Sequence, residues 1–274
     1  MKKYGPKKTG LVGWPVEHSL SPVIHNAGFR ELSLNWRYDL YPVKPENFTV
    51  DIEKLKVDLD GFNITYPHKE KILKHLDGID SVASRIGAVN CAKKENGKWT
   101  GTNTDASGFL KALKEDINPR EKNFFIAGCG GAAKAAAFAL AGENVRKIFL
   151  KDIDGEKADR LKKRLNRFAP ALPVFISCDF SNLINSDILI NATPLGMMDE
   201  RMPVPAEFLH KSLYVFECIY NRETPLLKAA SEKGLRKQNG LNMLVRQAAD
   251  SFSFWTGEKA PVELMKNVVE GRKI

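Results

Sequence analysis

A lysine and an aspartate set among hydroxyl and amide groups can hold a polyhydroxylated molecule and move one of its protons. Residues of these types recur at four short segments in the first 105 positions of the chain. Ser19 and Ser21 lie in Gly13-Trp14-Pro15-Val16-Glu17-His18-Ser19-Leu20-Ser21-Pro22. Asn63, Thr65 and Lys69 lie in Gly61-Phe62-Asn63-Ile64-Thr65-Tyr66-Pro67-His68-Lys69. Asn90 follows Ile86-Gly87-Ala88-Val89, and Asp105 ends Gly101-Thr102-Asn103-Thr104-Asp105. Asn63 and Thr65, two apart, project to one side of a strand. Singly, each residue has a plain use: Ser21 as a helix cap, Asn90 and Asp105 in turns, Lys69 as surface charge. Together, neutral donors with one lysine and one aspartate suit a small polyhydroxylated ligand.

A second pattern concerns phosphate. Gly128-Cys129-Gly130-Gly131-Ala132-Ala133 is a G-x-G-x-x-A sequence between an apolar strand candidate and an Ala-rich helix. Gly128 permits the tight turn, Gly130 lets the backbone approach a pyrophosphate, and Ala133 allows close helix–strand packing. The helix start contributes unpaired N–H groups and a positive dipole end. Asp152 stands 24 residues after Gly128, near the end of the next strand, where an acid hydrogen-bonds an adenosine ribose. A carboxylate there repels a 2′-phosphate, and Asp154 adds to it, so NAD is expected over NADP. Lys151 and Lys157 pull the other way or are ordinary surface charge.

The elements that must position these residues follow from periodicity. Strands are predicted at Asn123–Ala127, Val145–Asp152, Leu172–Ile176, Asp187–Asn191 and Leu213–Tyr220, with helices at Ala132–Ala141 and Glu156–Phe168. That alternation implies βαβ units and a parallel, doubly wound sheet. The N-terminal part has an α/β pattern of its own. Strands are predicted at Thr9–Val12, Trp36–Tyr41 and Leu59–Thr65, with a helix opening at Ser21-Pro22 and another over Lys69–Leu76. A helix from Leu241 places Leu244, Ala248 and Ser251 on one face.

Composition excludes other classes. The 274 residues are 43% hydrophobic and 27% charged, ordinary for a globular protein. The longest apolar run, Ala135–Ala141, is far short of a membrane span. Glycines, Pro15 and Glu17 break up the basic N-terminus, so no export signal is expected. Cys91, Cys129, Cys178 and Cys218 are widely spaced and are expected to be reduced and buried in a cytoplasmic protein. Net charge is +9, but the basic run Arg160–Arg167 has helical spacing with acids four residues ahead, the mark of a solvated helix face. No nucleic-acid platform accompanies it. Histidines such as His18 and His25 lack a third ligand, so no metal site is expected.

The segments above resemble the shikimate dehydrogenase family, including its quinate/shikimate branch. The likeness continues through Asn191-Ala192-Thr193-Pro194-Leu195-Gly196-Met197, Tyr220-Asn221, Thr224-Pro225-Leu226-Leu227 and Gly240 to Gln247, covering almost the whole chain in order. It implies a substrate domain from residues 1–106 and 240–274, and a Rossmann-type nucleotide domain over 107–239. It further implies a catalytic pair, Lys69 and Asp105, and a substrate pocket of Ser19, Ser21, Asn63, Thr65, Asn90, Tyr220 and Gln247. Cofactor contacts would come from Gly128, Cys129, Gly130, Gly131, Ala132, Asp152, Ile153, Thr193, Pro194, Met197 and Gly240.

The implied reaction is reversible oxidation of the ring hydroxyl of shikimate to 3-dehydroshikimate, with hydride passing to nicotinamide, in aromatic amino-acid biosynthesis. The hydroxyl proton must leave with the hydride, so a base must lie within hydrogen-bond reach. Lys69 is expected to be that base, Asp105 to orient it, and the Ser19 and Ser21 hydroxyls to hold the substrate carboxylate. The protein would act as a monomer or homodimer on shikimate or quinate. Asp152-Ile153-Asp154 replaces the Asn-Arg-Thr that many members carry for a 2′-phosphate, which again favours NAD, with NADP as the alternative. Lys134 replaces a usual arginine, and Glu217 stands where an aspartate is usual. Serine at both 19 and 21 points to shikimate before quinate. A dual quinate/shikimate dehydrogenase is one rival. Another is a catalytically silent NAD-binding regulator, against which the retention of both Lys69 and Asp105 argues.

Overall fold

The computed structural model describes residues 5–270. It falls into two compact units. One takes the chain up to Gly108 and resumes at Val245; the other is Phe109–Leu244.

The first unit contains β1 (Lys7–Gly13), α1 (Ser21–Glu31), β2 (Trp36–Pro42), α2 (Phe48–Asp58), β3 (Gly61–Ile64), β4 (Gly78–Ile79), α3 (Ser81–Ile86), β5 (Cys91–Glu95) and β6 (Lys98–Thr102). The strands form one sheet in the order β2-β1-β3-β5-β6-β4. β1 is parallel to both β2 and β3, whereas β5 runs antiparallel to β3 and β6. The ends of β1, β3 and β6 and the start of β5 therefore share one edge, so the polar segments that follow or precede them converge. Val12, Phe48, Ile52, Phe62, Ile64 and Trp99 are buried together in the core.

Three local details differ from the sequence-based expectation. Leu20, not Ser21, holds the cap position of α1, and the Ser21 N–H instead donates to the Ser19 hydroxyl at 3.2 Å. The helix expected over Lys69–Leu76 is a short 3-10 helix, Lys71–His75, which buries Ile72 and gives way to extended backbone at Leu76. Asp105 lies not in a turn but in the first turn of α4 (Thr104–Asp116), where a carboxylate meets the positive end of the helix.

The second unit is built from β7 (Asn123–Ala127), α5 (Gly131–Ala141), β8 (Lys147–Lys151), α6 (Gly155–Phe168), β9 (Val174–Ile176), β10 (Ile188–Asn191), β11 (Tyr214–Glu217), α7 (Pro225–Glu232) and β12 (Lys237–Gln238). Its sheet is wholly parallel, in the order β12-β11-β10-β7-β8-β9. Strand order thus reverses between β7 and β10, and ligands of such sheets bind beyond the strand ends at that switch point. Ala133, Ala135, Ala136 and Ala137 of α5 are fully buried, their small side chains letting the helix lie close to the sheet. On α6, Ala158, Leu161 and Leu165 face inward, and the pairs Arg160–Glu156 (3.0 Å) and Lys163–Asp159 (2.6 Å) lie on the exposed side. The basic run is a solvated helix face.

The C-terminal helices are α8 (Leu241–Thr256) and α9 (Val262–Glu270). Among the described residues no helix is long and apolar enough to cross a membrane. All four cysteines are free; Cys91 and Cys129 are buried, but Cys178 is exposed, contrary to expectation, since it follows the edge strand β9.

Candidate active site

In the first unit, Lys69 Nζ donates to Asp105 Oδ2 at 2.5 Å, with side-chain exposures of only 18% and 9%. The pair is not left to find its own geometry. Asn90 Nδ2 donates to Asp105 Oδ1 at 2.8 Å and to Thr104 Oγ1 at 2.9 Å. The Thr104 N–H returns a bond to Asn90 Oδ1 at 2.7 Å, and the Asp105 N–H donates to Asn103 Oδ1 at 3.1 Å. Backbone bonding also seats the lysine: the Val89 N–H donates to the Lys69 carbonyl at 2.9 Å. A cation and an anion this close, each mostly withdrawn from water, form a charge-assisted bond with defined direction.

The network continues inward. Asn63 Nδ2 donates to the Asn90 carbonyl at 3.0 Å and to Ser251 Oγ at 2.9 Å, while Asn63 Oδ1 accepts from the Tyr38 hydroxyl at 2.9 Å. Ser251 Oγ also bonds Thr104 Oγ1 at 3.0 Å. Both amide protons of Asn63 are thus used within the protein, so in this arrangement it braces the cluster rather than offering donors to a ligand. Ser19 Oγ lies 3.2 Å from Ser21 Oγ, on the loop after β1, and Thr65 follows β3, its N–H donating to Val12 at 2.9 Å. Gln247 is buried on α8. Tyr220 belongs to the second unit, after β11. Sequence reasoning missed Tyr38, Asn103 and Thr104 as supports. A tyrosine in a strand looks like core, and only the buried partner distinguishes it.

In the second unit, Gly128 has φ +95°, and a Cβ there would come within 2.8 Å of the Ala192 carbonyl oxygen. Only glycine fits that turn. A Cβ added to Gly130 would meet nothing within 4 Å, and no side chain caps the start of α5. The first N–H groups of a helix have no partners inside it, so this end is open to an anion. Asp152 accepts from the Cys129 N–H at 2.7 Å and the Asp154 N–H at 2.9 Å, one on each carboxylate oxygen. Asp154 caps α6 through the N–H groups of Glu156 and Lys157, and Ile153 between them is fully exposed. The nearby cations are engaged: Lys151 Nζ donates to the Cys178 carbonyl at 2.7 Å, and Lys157 lies 3.7 Å from Asp154. Thr193, Pro194 and Met197 form the turn after β10, where the Met197 N–H donates to the Pro194 carbonyl at 3.1 Å. Gly240 packs where a Cβ would stand 2.0 Å from the Cys218 carbonyl oxygen.

A doubly wound sheet with a glycine turn at its switch point and an acid after the next strand is the arrangement of Rossmann-type dinucleotide-binding domains. Comparison with known proteins narrows the class. A family model described as the shikimate dehydrogenase substrate binding domain matches residues 11–92, and one described as the shikimate 5′-dehydrogenase C-terminal domain matches 240–270. The shikimate dehydrogenase (NADP(+)) of Methanocaldococcus jannaschii is 44% identical over 273 residues, covering 96% of each chain. A crystal structure of a shikimate dehydrogenase in complex with NADP+ superposes with TM-score 0.88 at 42% identity, covering 97% of this chain and 95% of the other. The Listeria monocytogenes shikimate 5-dehydrogenase in complex with shikimate and NAD gives TM-score 0.86 at 31% identity, covering 96% of each. The chain belongs to the shikimate dehydrogenase family, whose members are oxidoreductases acting on a CH–OH donor.

Proposed function

We propose that the protein interconverts shikimate and 3-dehydroshikimate, a step of aromatic amino-acid biosynthesis, with NAD as the preferred nicotinamide cofactor. The observation that carries this reading is the braced Lys69–Asp105 pair. When bound, nicotinamide supplies the hydride acceptor for oxidation and the donor for reduction. In the reducing direction Lys69 gives a proton to the oxygen of the ketone as hydride reaches its carbon. In the oxidising direction Lys69, having lost its proton, takes the one leaving the hydroxyl. Asp105 holds the lysine in line and accepts hydrogen bonds from the ring hydroxyls. The Ser19 and Ser21 hydroxyls, with Thr65, receive the polar periphery of the substrate, including its carboxylate. Gln247 completes the proposed contacts within this unit.

The open space at Gly130 and the uncapped start of α5 fit a pyrophosphate. Gly130, Gly131 and Ala132 at the helix start would hold it through the main chain, on a turn set by Gly128 and Cys129, whose own N–H groups donate to Lys151 and Asp152. Asp152 and Ile153 would hold the adenosine, and Thr193, Pro194, Met197 and Gly240 the nicotinamide end. The relatives' names weigh toward NADP. The residues here weigh against a 2′-phosphate, because two carboxylates flank Ile153 and neighbouring lysines are already engaged. Four free thiols suit a reducing cytoplasm.

One assay tests both parts: purified protein with shikimate or quinate, each crossed with NAD+ and NADP+, following reduced nicotinamide. Highest kcat/KM is expected for shikimate with NAD+. No turnover in any combination overturns the enzyme reading, and a preference for NADP+ overturns the cofactor assignment.

A further inference from the structure

Glu217, the last residue of β11, is fully buried. Its carboxylate gathers neutral donors. Asn191 Nδ2 reaches both oxygens at 2.9 Å, the Ile219 N–H donates to Oε1 at 3.1 Å, and the Thr224 hydroxyl donates to Oε2 at 3.0 Å. Burial pushes its carboxyl up to about 7, against the pull of those donors. A site this costly to ionise is poorly explained as a packing accident, since an apolar side chain of similar size would avoid the desolvation.

Each donor belongs to a different piece of the strand-end edge. Asn191 ends β10 and lies opposite Glu217 in register. With its amide nitrogen turned to the carboxylate, its Oδ1 accepts from the Thr193 N–H at 3.0 Å and the Thr193 hydroxyl at 2.7 Å. Thr193 Oγ1 in turn accepts from the Leu195 N–H at 3.2 Å. Thr224 caps α7 by accepting from the Leu227 N–H. A Cβ on Gly196 would stand 3.3 Å from Thr224 Cβ, so the turn after β10 packs on that cap. One carboxylate therefore sets the amide orientation of Asn191 and ties together two segments, Thr193–Met197 and Cys218–Thr224.

We propose that Glu217 is a positioning residue for the dinucleotide, fixing through Asn191 and Thr224 the Thr193–Met197 turn that receives its nicotinamide end. This rests on the cofactor assignment proposed above. The test is direct titration with NADH, followed by nicotinamide fluorescence, alongside steady-state KM values for cofactor and shikimate. Glu217→Ala is expected to weaken NADH binding and raise the cofactor KM by about tenfold or more, with the shikimate KM within twofold. Glu217→Gln, which keeps the volume and one acceptor oxygen, is expected to recover most of the loss. Thr224→Val, which removes one donor to the Glu217 carboxylate at a residue given no cofactor contact, is expected to reproduce part of it and serves if Glu217→Ala does not fold. A folded Glu217→Ala protein, or a Thr224→Val protein, with unchanged NADH affinity overturns the inference. So does an equal rise in both KM values. Failure of the wild-type protein to bind NADH strikes instead at the cofactor assignment.

Discussion

The candidate site of the first unit is made of side chains, whereas that of the second is made largely of main chain. Around Lys69 and Asp105 the amides and hydroxyls of Asn90, Thr104, Asn63, Ser251 and Tyr38 bond one another in an unbroken run. Beside Gly130 the useful groups are the main-chain N–H donors at the uncapped start of α5, approached across a position with no side chain. The difference follows from what is held. A proton transfer needs a group of defined chemistry at a defined point, and a side chain supplies it only when its torsions are locked. A pyrophosphate needs several donors on a concave path, which a glycine turn and a helix start supply together. The first unit therefore spends its polar residues on bracing, and the second spends its small residues on clearance.

This contrast can be broken by substitution. Lys69→Met should lower kcat by about 10²–10⁴-fold, the range lost with a general acid–base group. NADH titration should be unchanged, and a matching loss of NADH affinity would show that the units do not divide the work. Gly128→Ala should do the reverse. Forcing a Cβ onto φ +95° and against the Ala192 carbonyl costs about 1–3 kcal/mol, so NADH affinity should fall by about tenfold or more, and shikimate affinity should stay level.

A third test separates the units by stability. All four tryptophans (Trp14, Trp36, Trp99 and Trp255) lie in the first unit, so intrinsic fluorescence follows that unit. His25 is wholly buried there, its ring 4.4 Å from Tyr38 and 5.0 Å from Trp255, and neither ring nitrogen forms a well-made hydrogen bond. Burial lowers its pKa from 6.5 to about 3. Between those values the unfolded chain binds the proton and the folded one does not, so stability falls as pH drops below 6.5. The slope contributed by this residue is about 1.4 kcal/mol per pH unit. Denaturant unfolding followed by tryptophan fluorescence between pH 6.5 and 4 should show it, and His25→Phe should flatten it. Glu217 in the second unit has the opposite sign. Its carboxyl, raised from 4.5 to about 7, favours the folded state at low pH, a benefit lost as pH rises through that window. An unaltered slope in His25→Phe would mean that other groups govern the acid lability of the first unit.

Much of this organisation was legible in residue order. The second unit's strands were readable because buried parallel strands are short apolar runs, and α6 because its charges and apolar residues alternate with helical period. The two-residue strands β4 and β12 were not, because no periodicity exists over two residues. α2 was missed as well: only Phe48 and Ile52 are buried on it, while Val50 and Val57 point outward and blur the apolar face. The start of α4 was not legible either, because Thr104-Asp105 opens the helix with a polar first turn.

By itself the sequence determined which chemistries were available: a lysine and an aspartate among neutral donors, a glycine turn beside a helix start, and two carboxylates after the next strand. Those are properties of residue type and short spacing, which survive without a fold. Tertiary structure alone decided which of the polar residues face one another. Lys69 and Asp105 are 36 positions apart and meet at 2.5 Å because β3 and β6 end at one sheet edge. Asn63 and Ser251 are 188 positions apart, and their bond makes Asn63 a brace of the cluster, a role its place in the sequence does not show. Only the fold shows which donors are already spent, because a hydrogen bond depends on separation in space, and separation along the chain carries almost no record of it.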